Sequence, residues 1–196
     1  MDKLSYALGL SMGNNFQRSG IKEINVEDFA DGVKAVYEGG EAKMTLEEAK
    51  EVVNEFFTKL EEDSKKLNKE IGEKFLSENL KVEGVKETST GLQYKIINEG
   101  EGHTPNATDK VTVHYTGRLI DGTVFDSSIE RGEPATFGVS QVIPGWVEAL
   151  QMMKEGAKWE LFIPSNLAYG PNGAGPMIGP DTTLLFEVEL IKIEKY

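Results

Sequence analysis

Apolar residues recur at helical spacing in the first half of the chain and at every second position in the second half. Leu4, Leu8 and Met12 step by four, with Ala7 and Phe16 near the same stripe, which predicts an amphipathic helix. Asn25 suits an N-cap, Asp28 falls three residues on, and Val26, Phe29, Val33, Ala35 and Val36 give a second helix that Gly39-Gly40 ends. Thr45 with Glu48 is a capping-box pattern, and no proline follows until well past residue 82, so the third helix is expected to be very long. At about 1.5 Å per residue, a helix over Leu46 to Leu80 extends roughly 50 Å, more than a compact module of this size surrounds. Ala49, Val52, Val53, Phe56, Phe57 and Leu60 form a single apolar face along its opening turns. Glu61-Glu62-Asp63-Ser64-Lys65-Lys66 is then polar all round, as in a helix crossing solvent. Leu67, Ile71 and Phe75 resume an apolar line, with Gly72 a modest weakness in it.

From residue 91 the period is two. Leu92, Tyr94 and Ile96 alternate with Gln93, Lys95 and Ile97, and Val111, Val113 and Tyr115 with Thr112, His114 and Thr116, the mark of half-buried strands. Asp121-Gly122 between Leu119-Ile120 and Thr123-Val124-Phe125 reads as a hairpin turn. Trp159, Leu161 and Ile163 form another alternating run, and Leu184, Phe186, Val188 and Leu190 a last one. Between them Trp146, Ala149, Leu150 and Met153 have helical spacing after Pro144-Gly145. The expected class is therefore α+β: an all-helical first module with a long connecting helix over about 46–82, then an antiparallel sheet carrying one short helix. The boundary is expected near Val82-Glu83-Gly84-Val85, dividing the chain into 1–85 and 86–196.

Composition sharpens that division. All seven prolines and thirteen of the 21 glycines lie after residue 85. Charge does not follow it: there are 18 acidic and 12 basic residues before position 86 and 15 and 9 after it, so each half carries half of the net −12. A chain this acidic, without a basic tract, is a poor partner for nucleic-acid phosphates or an anionic lipid surface. No apolar run approaches the roughly 20 residues of a membrane span. With no cysteine, disulfides, thiolate nucleophiles and thiolate metal sites are excluded together, and the compartment is left open. The opening Met1-Asp2-Lys3-Leu4 has no basic stretch leading into a long apolar one. The expectation is a cytoplasmic protein, or a periplasmic or outer-membrane-associated one if a signal segment has been removed.

The chemical inventory is short. His103 sits in a loop and His114 opposite the apolar face of its strand, which makes both surface histidines rather than ligands, and no metal or cofactor is expected. There is no Gly-x-Ser-x-Gly elbow. The glycine-rich run Gly170–Gly179 lacks the Lys-Ser/Thr and the helix start that a phosphate loop needs. Asn106-Ala107-Thr108 matches a glycosylation triplet by coincidence. What stands out is the concentration of Tyr115, Phe125, Phe137, Val142, Ile143, Trp146, Tyr169, Ile178 and Phe186 in the sheet module. Filling the inside of a curved sheet accounts for many of these. Asp126, directly after Phe125 in an apolar strand, needs a partner, and Arg131 and Tyr115 are the candidates.

These same residues carry a resemblance. Val113-His114-Tyr115-Thr116-Gly117, Asp121–Ser128, Val142-Ile143-Pro144-Gly145-Trp146, Ala168-Tyr169-Gly170 and Leu184–Leu190 together resemble the FKBP-type peptidyl-prolyl isomerases, in order and from about Gly91 to the C-terminus. The helix layout before them, with Tyr6-Ala7-Leu8-Gly9-Leu10, is similar to the bacterial two-module members of the FklB and macrophage infectivity potentiator type. The resemblance implies a bent antiparallel sheet wrapped on the Trp146 helix, with a pocket between them. Trp146 is then the floor, and Tyr115, Phe125, Val142, Ile143 and Phe186 the walls, with Ile178 also against the substrate. Asp126 stands at the edge held by Tyr115 and Arg131, and Tyr169 offers its hydroxyl to a substrate carbonyl. Ala135, Ala174 and Met177 depart from what relatives place there.

Such a pocket implies isomerisation of X-Pro bonds in unfolded or partly folded clients, without cofactor and with tacrolimus or rapamycin as inhibitors. The first half is expected to dimerise, interlocking the first two helices while the rod holds two catalytic modules apart; a small bundle closed on itself is the alternative. The rival function is a client-binding holdase in which isomerisation is incidental.

Overall fold

In the computed structural model, which describes residues 1–39 and 42–194, the first helix, α1, runs Lys3–Arg18 with Asp2 as its cap, accepting the Ser5 amide at 2.8 Å. Helix α2 (Val26–Tyr37) starts where the sequence places it, with Asn25 Oδ1 accepting the amides of Glu27 and Asp28. Gly39 has a positive φ of 68°; Gly40, named with it as the helix end, lies outside the described residues. Helix α3 is continuous over Leu46–Asn79 and opens on a reciprocal capping box: Glu48 accepts the Thr45 amide at 2.7 Å and donates its own amide to Thr45 Oγ1 at 3.2 Å.

The chain divides into two units, Met1–Leu60 and Glu61–Tyr196. In the first, Phe16 and Phe29 meet edge-on at 5.5 Å, yet no described side chain is fully buried. The Leu4/Leu8/Met12 stripe exists but stays 69, 55 and 41% exposed.

In the second unit a sheet of seven strands, all pairs antiparallel, is ordered β1-β2-β6-β7-β3-β4. The strands are β1 (Val85–Glu87), β2 (Gln93–Asn98), β3 (Lys110–Arg118), β4 (Val124–Ser127), β5 (Ala135–Gly138), β6 (Lys158–Ile163) and β7 (Leu184–Glu194). The outer edge of β3 is shared, β5 pairing with Lys110–Val113 and β4 with Thr116–Arg118. Register breaks at Ile96/Asn98, Thr112/Val113 and Gly117/Arg118 bend the strands. A four-residue helix, α4 (Ser128–Arg131), follows β4, and α5 (Pro144–Leu150) starts with proline at its first turn, where no amide donor is missed. Trp146, Ala149 and Leu150 of α5 are buried with the alternating residues Val111, Val113, Trp159, Leu161, Leu184 and Val188.

Strict alternation fails at Gln93, Thr112 and Phe162, all of them buried. Gln93 is as buried as Leu92, because its outward side chain meets α3: it donates to the Leu76 carbonyl at 3.0 Å and accepts from Asn79 at 2.9 Å. Phe162, on β6, packs on Phe75 at 6.1 Å. The side of α3 that docks is therefore Asn68, Gly72, Phe75, Leu76 and Asn79, whereas Leu67 and Ile71 stay 56 and 44% exposed. Gly72 is a fit rather than a weakness: it is buried, and a Cβ there would run into the Thr183 hydroxyl.

Candidate functional site

The pairing of Gly117 with Asp126 brings Tyr115 and Asp126 to one end of the sheet. Ser127 caps α4, accepting the Glu130 amide, and Gly132 closes it with a φ of 80°, so that Arg131 turns back over the strand. The Tyr115 hydroxyl donates to Asp126 Oδ2, Arg131 Nη1 donates to Asp126 Oδ1, and Arg131 Nη2 donates to the Tyr115 oxygen at 3.0 Å. The guanidinium also lies 5.6 Å from the Tyr115 ring centroid. Burial, reinforced by the Asp126 hydrogen bond, raises the Tyr115 phenol above its ordinary value, while hydrogen bonds to Tyr115 and Asp126 raise the Arg131 guanidinium. The three form a closed cluster in which the phenol stays protonated. Both partners suggested for Asp126 engage it.

Beneath lies the indole of Trp146, 3% exposed. Tyr115, Phe137 and Phe186 stand edge-on to it at 5.2, 5.9 and 5.3 Å, and Phe125 stands edge-on to Phe186 at 5.5 Å. The indole N–H is buried and has no hydrogen-bond partner among the described residues. Phe125, Val142 and Ile143 are half-buried and pack against the same core. Ile143 caps α5, its carbonyl accepting the Trp146 amide at 2.9 Å, and its own amide has no partner among the described residues.

Ile178 is buried in the same core, fixed by paired backbone bonds to Ala174 across the tip of the 170–179 loop. Met177 at that tip is exposed. Tyr169 stands apart from the ring cluster: it is 42% exposed and its hydroxyl has no partner among the described residues.

Four participants escape a reading of the sequence as site residues. Phe137, noted in the sequence among the aromatics of the sheet module but given no place in the pocket, stands against Trp146. Ser128, fully buried, accepts the Tyr115 amide at 2.8 Å and so holds the backbone behind the phenol. His114, expected on the surface, is half-buried with Nδ1 3.1 Å from that Ser128 oxygen. Gly117 lets the rings reach the strand: a Cβ there would lie 2.6 Å from Phe125 and 2.7 Å from Phe186. Among the described residues no group of three His, Asp or Glu is disposed to hold a metal, and no helix is long and apolar enough to cross a membrane.

Comparison with known proteins assigns this geometry. Residues 101–191 match the family model of the FKBP-type peptidyl-prolyl cis-trans isomerase, and residues 1–96 that of the domain amino terminal to FKBP-type peptidyl-prolyl isomerase. A probable FKBP-type peptidyl-prolyl cis-trans isomerase FkpA of Neisseria meningitidis is 50% identical over 98% of this chain and 74% of its own. The chain belongs to the FKBP-type peptidyl-prolyl isomerases. The outer membrane protein MIP of Legionella longbeachae is 48% identical over 99% of this chain and 86% of its own. Among solved structures, FkpA of Escherichia coli superposes with a TM-score of 0.79 at 35% identity, over 98% of this chain and 95% of that one. The sheet unit is thus an FKBP fold, preceded by the helical region with its long helix, and the activity is isomerisation of peptidyl-prolyl bonds.

Proposed function

We propose that this FKBP-type isomerase receives the proline ring on the Trp146 indole, between Tyr115, Phe125, Val142, Ile143 and Phe186, and turns the preceding amide without covalent chemistry. Rotation must break amide resonance, a barrier of about 18–20 kcal/mol. The twisted amide has less charge separation than the planar one, so a dry site penalises the ground state more than the transition state. A ten-thousand-fold acceleration asks for only about 5.4 kcal/mol of such difference. The observation that carries the reading is the indole floor, buried and ringed by edge-on aromatics, with Asp126 and Arg131 closed on one another beside Tyr115. The free Ile143 amide and the Tyr169 hydroxyl are suited to hold the flanking carbonyls, fixing which half rotates.

A prolyl tetrapeptide relaxation assay on the full chain tests it. Acceleration blocked by tacrolimus or rapamycin, and lost in Trp146→Ala and Asp126→Ala variants that still fold, is the expected result. Unchanged rates in those variants would refute the site.

The clients are proline-containing unfolded chains, and the first unit has an extended exposed apolar surface. The same surface supports a homodimer through residues 1–85, with 86–196 as the catalytic module: a unit of this size with no buried side chain lacks a core of its own. A groove of about 730 Å³ there, lined by Tyr6, Leu10, Met12, Phe16, Ile24 and Phe29, offers the area a second copy needs. Sedimentation of the full chain at micromolar concentration is expected to give a dimer; a monomer rejects this. Holding of clients is the second reading, favoured by the same exposed groove: suppression of aggregation that survives Asp126→Ala would separate it from isomerisation. Cytoplasm and periplasm both suit a chain without thiols, and cell fractionation decides between them.

A further inference from the structure

The peptide unit between Pro180 and Asp181 is gripped at both ends. Its carbonyl accepts from Asn68 Nδ2 of α3 at 2.8 Å, and its N–H donates to the Gly170 carbonyl at 2.9 Å. Gly170 is the neighbour of Tyr169. A peptide unit is planar and stiff, so a displacement imposed on its oxygen is passed to its N–H with little loss. Helix α3 is thereby one hydrogen bond, one plane and one further hydrogen bond from the residue that follows Tyr169.

The surroundings keep this plane where it is. Asp181 has a φ of 49°, the sole positive value among the described non-glycine residues, a conformation that persists when neighbours over-determine it. Thr182 Oγ1 donates to the Gly179 carbonyl at 2.9 Å, and Ser165 Oγ reaches Asp181 Oδ1 at 3.5 Å. On the helix side, Gly72, one turn from Asn68, lies so close to Thr183 that a Cβ there would clash with its hydroxyl. Loop residues 165–183 otherwise have an exposed course at Tyr169 and Met177. They are anchored in the core at Ile178 and on the helix at Pro180 and Thr183.

We propose that Asn68 is a positioning residue for the isomerase reaction, setting through the Pro180-Asp181 peptide where the Tyr169 hydroxyl meets the substrate. This rests on the role assigned to Tyr169 above. It makes the helix that leaves the sheet unit a component of the substrate-binding apparatus.

The test is a double-mutant cycle in the full chain, with prolyl peptide kinetics. Asn68→Ala is expected to raise KM about fivefold, what one ordinary hydrogen bond is worth, with kcat little changed. Asn68→Asp, which keeps the shape but not the donor, is expected to do the same. In a Tyr169→Phe background the Asn68 effect is expected to vanish, because both act through one hydroxyl. Asn79→Ala, which removes the bond to Gln93 on the same helix face but away from the loop, is expected to leave KM unchanged. Equal effects of Asn68→Ala and Asn79→Ala, or full additivity with Tyr169→Phe, would mean general loosening and overturn the proposal. If Tyr169→Phe alone changes nothing, the role of Tyr169 falls and this proposal with it; if Tyr169→Phe is impaired while Asn68→Ala is normal, only the proposal falls.

Discussion

Gly117 is the position at which adding one methyl group most directly tests the aromatic site, because it removes none of the groups assigned to binding. Its φ lies outside the left-handed region although the register breaks just after it, so the penalty of Gly117→Ala is mainly one of space. The new Cβ would stand 2.6 Å from Phe125 Cζ and 2.7 Å from Phe186 Cε1, against an ordinary carbon contact of about 3.5–4.0 Å. Each ring must retreat by roughly 1 Å. Phe186 is 6% exposed and backed by Trp146, so it has nowhere to go. Phe125 is half-buried and moves toward the opening, into the space assigned to the proline ring. Overpacking of this kind costs about 1–3 kcal/mol, and urea unfolding is expected to register a loss of that order. The tetrapeptide assay is expected to lose at least about tenfold in kcat/KM, corresponding to about 1.4 kcal/mol of transition-state stabilisation. Gly122→Ala is the control: at the hairpin tip with a φ of 89° and nothing within 4 Å, it strains the turn without approaching a ring. It should destabilise by about 1 kcal/mol and leave kcat/KM alone. If Gly117→Ala loses stability but keeps its kcat/KM, the Phe125/Phe186 pair is core and not substrate surface.

Three further outcomes are expected. Because burial raises the Tyr115 phenol, the folded chain holds that proton more tightly than the unfolded one; this contribution to stability is whole below about pH 10 and is lost as pH climbs through the raised folded value. Urea midpoints should therefore fall above about pH 10, and the share due to Tyr115 should be missing in Tyr115→Phe. Ser128→Ala takes the acceptor from the Tyr115 amide and should lower stability by about 1–3 kcal/mol while weakening peptide binding, measured by KM; an unchanged KM would make Ser128 purely structural. Gln93→Ala takes the acceptor from Asn79 and one of two donors from the Leu76 carbonyl, which keeps the Leu80 amide, and should cost about 1–3 kcal/mol in urea unfolding with normal turnover, which distinguishes helix docking in general from the specific Asn68 contact.

The inner face of the sheet is legible because each residue's burial is decided by its own strand. Val111, Val113, Tyr115, Leu184, Phe186, Val188 and Leu190 alternate in sequence and are all buried. Its outer face is not legible in this way, since what covers it comes from α3, many residues earlier. Gln93 looks like a solvent-facing residue until Leu76 and Asn79 arrive over it, and Asn68 and Gly72 look like interruptions of an apolar line until Pro180 and Thr183 are placed against them. The strand β1 is likewise invisible, three residues whose pairing with β2 gives no period to read. At the site, Tyr115, Asp126 and Arg131 follow from the need of a half-buried carboxylate for partners. Ser128 does not, because a buried hydroxyl that serves one backbone amide has the same sequence signature as any serine at a helix start.

The rim cluster has a consequence for the reaction itself. A hydroxyl free to point at the substrate's reacting carbonyl would stabilise the planar, charge-separated amide more than the twisted one and so oppose rotation. Tyr115 is the ring nearest the floor that carries such a hydroxyl, with its edge on Trp146 at 5.2 Å. Its proton is committed to Asp126, and its oxygen accepts from Arg131. The carboxylate and guanidinium, each with a side chain about two-fifths exposed, neutralise one another at the mouth rather than projecting a field inward. On this view the Tyr115–Asp126–Arg131 cluster contributes by keeping polarity away from the reacting bond, and Asp126 acts as neither acid nor base. Asp126→Asn, which still accepts from the phenol but leaves the Arg131 charge unbalanced, should then reduce kcat, with the profiles of the parent chain and the variant alike in shape between about pH 5 and 8, whereas proton transfer by Asp126 would slope the parent profile and the variant would lose that slope.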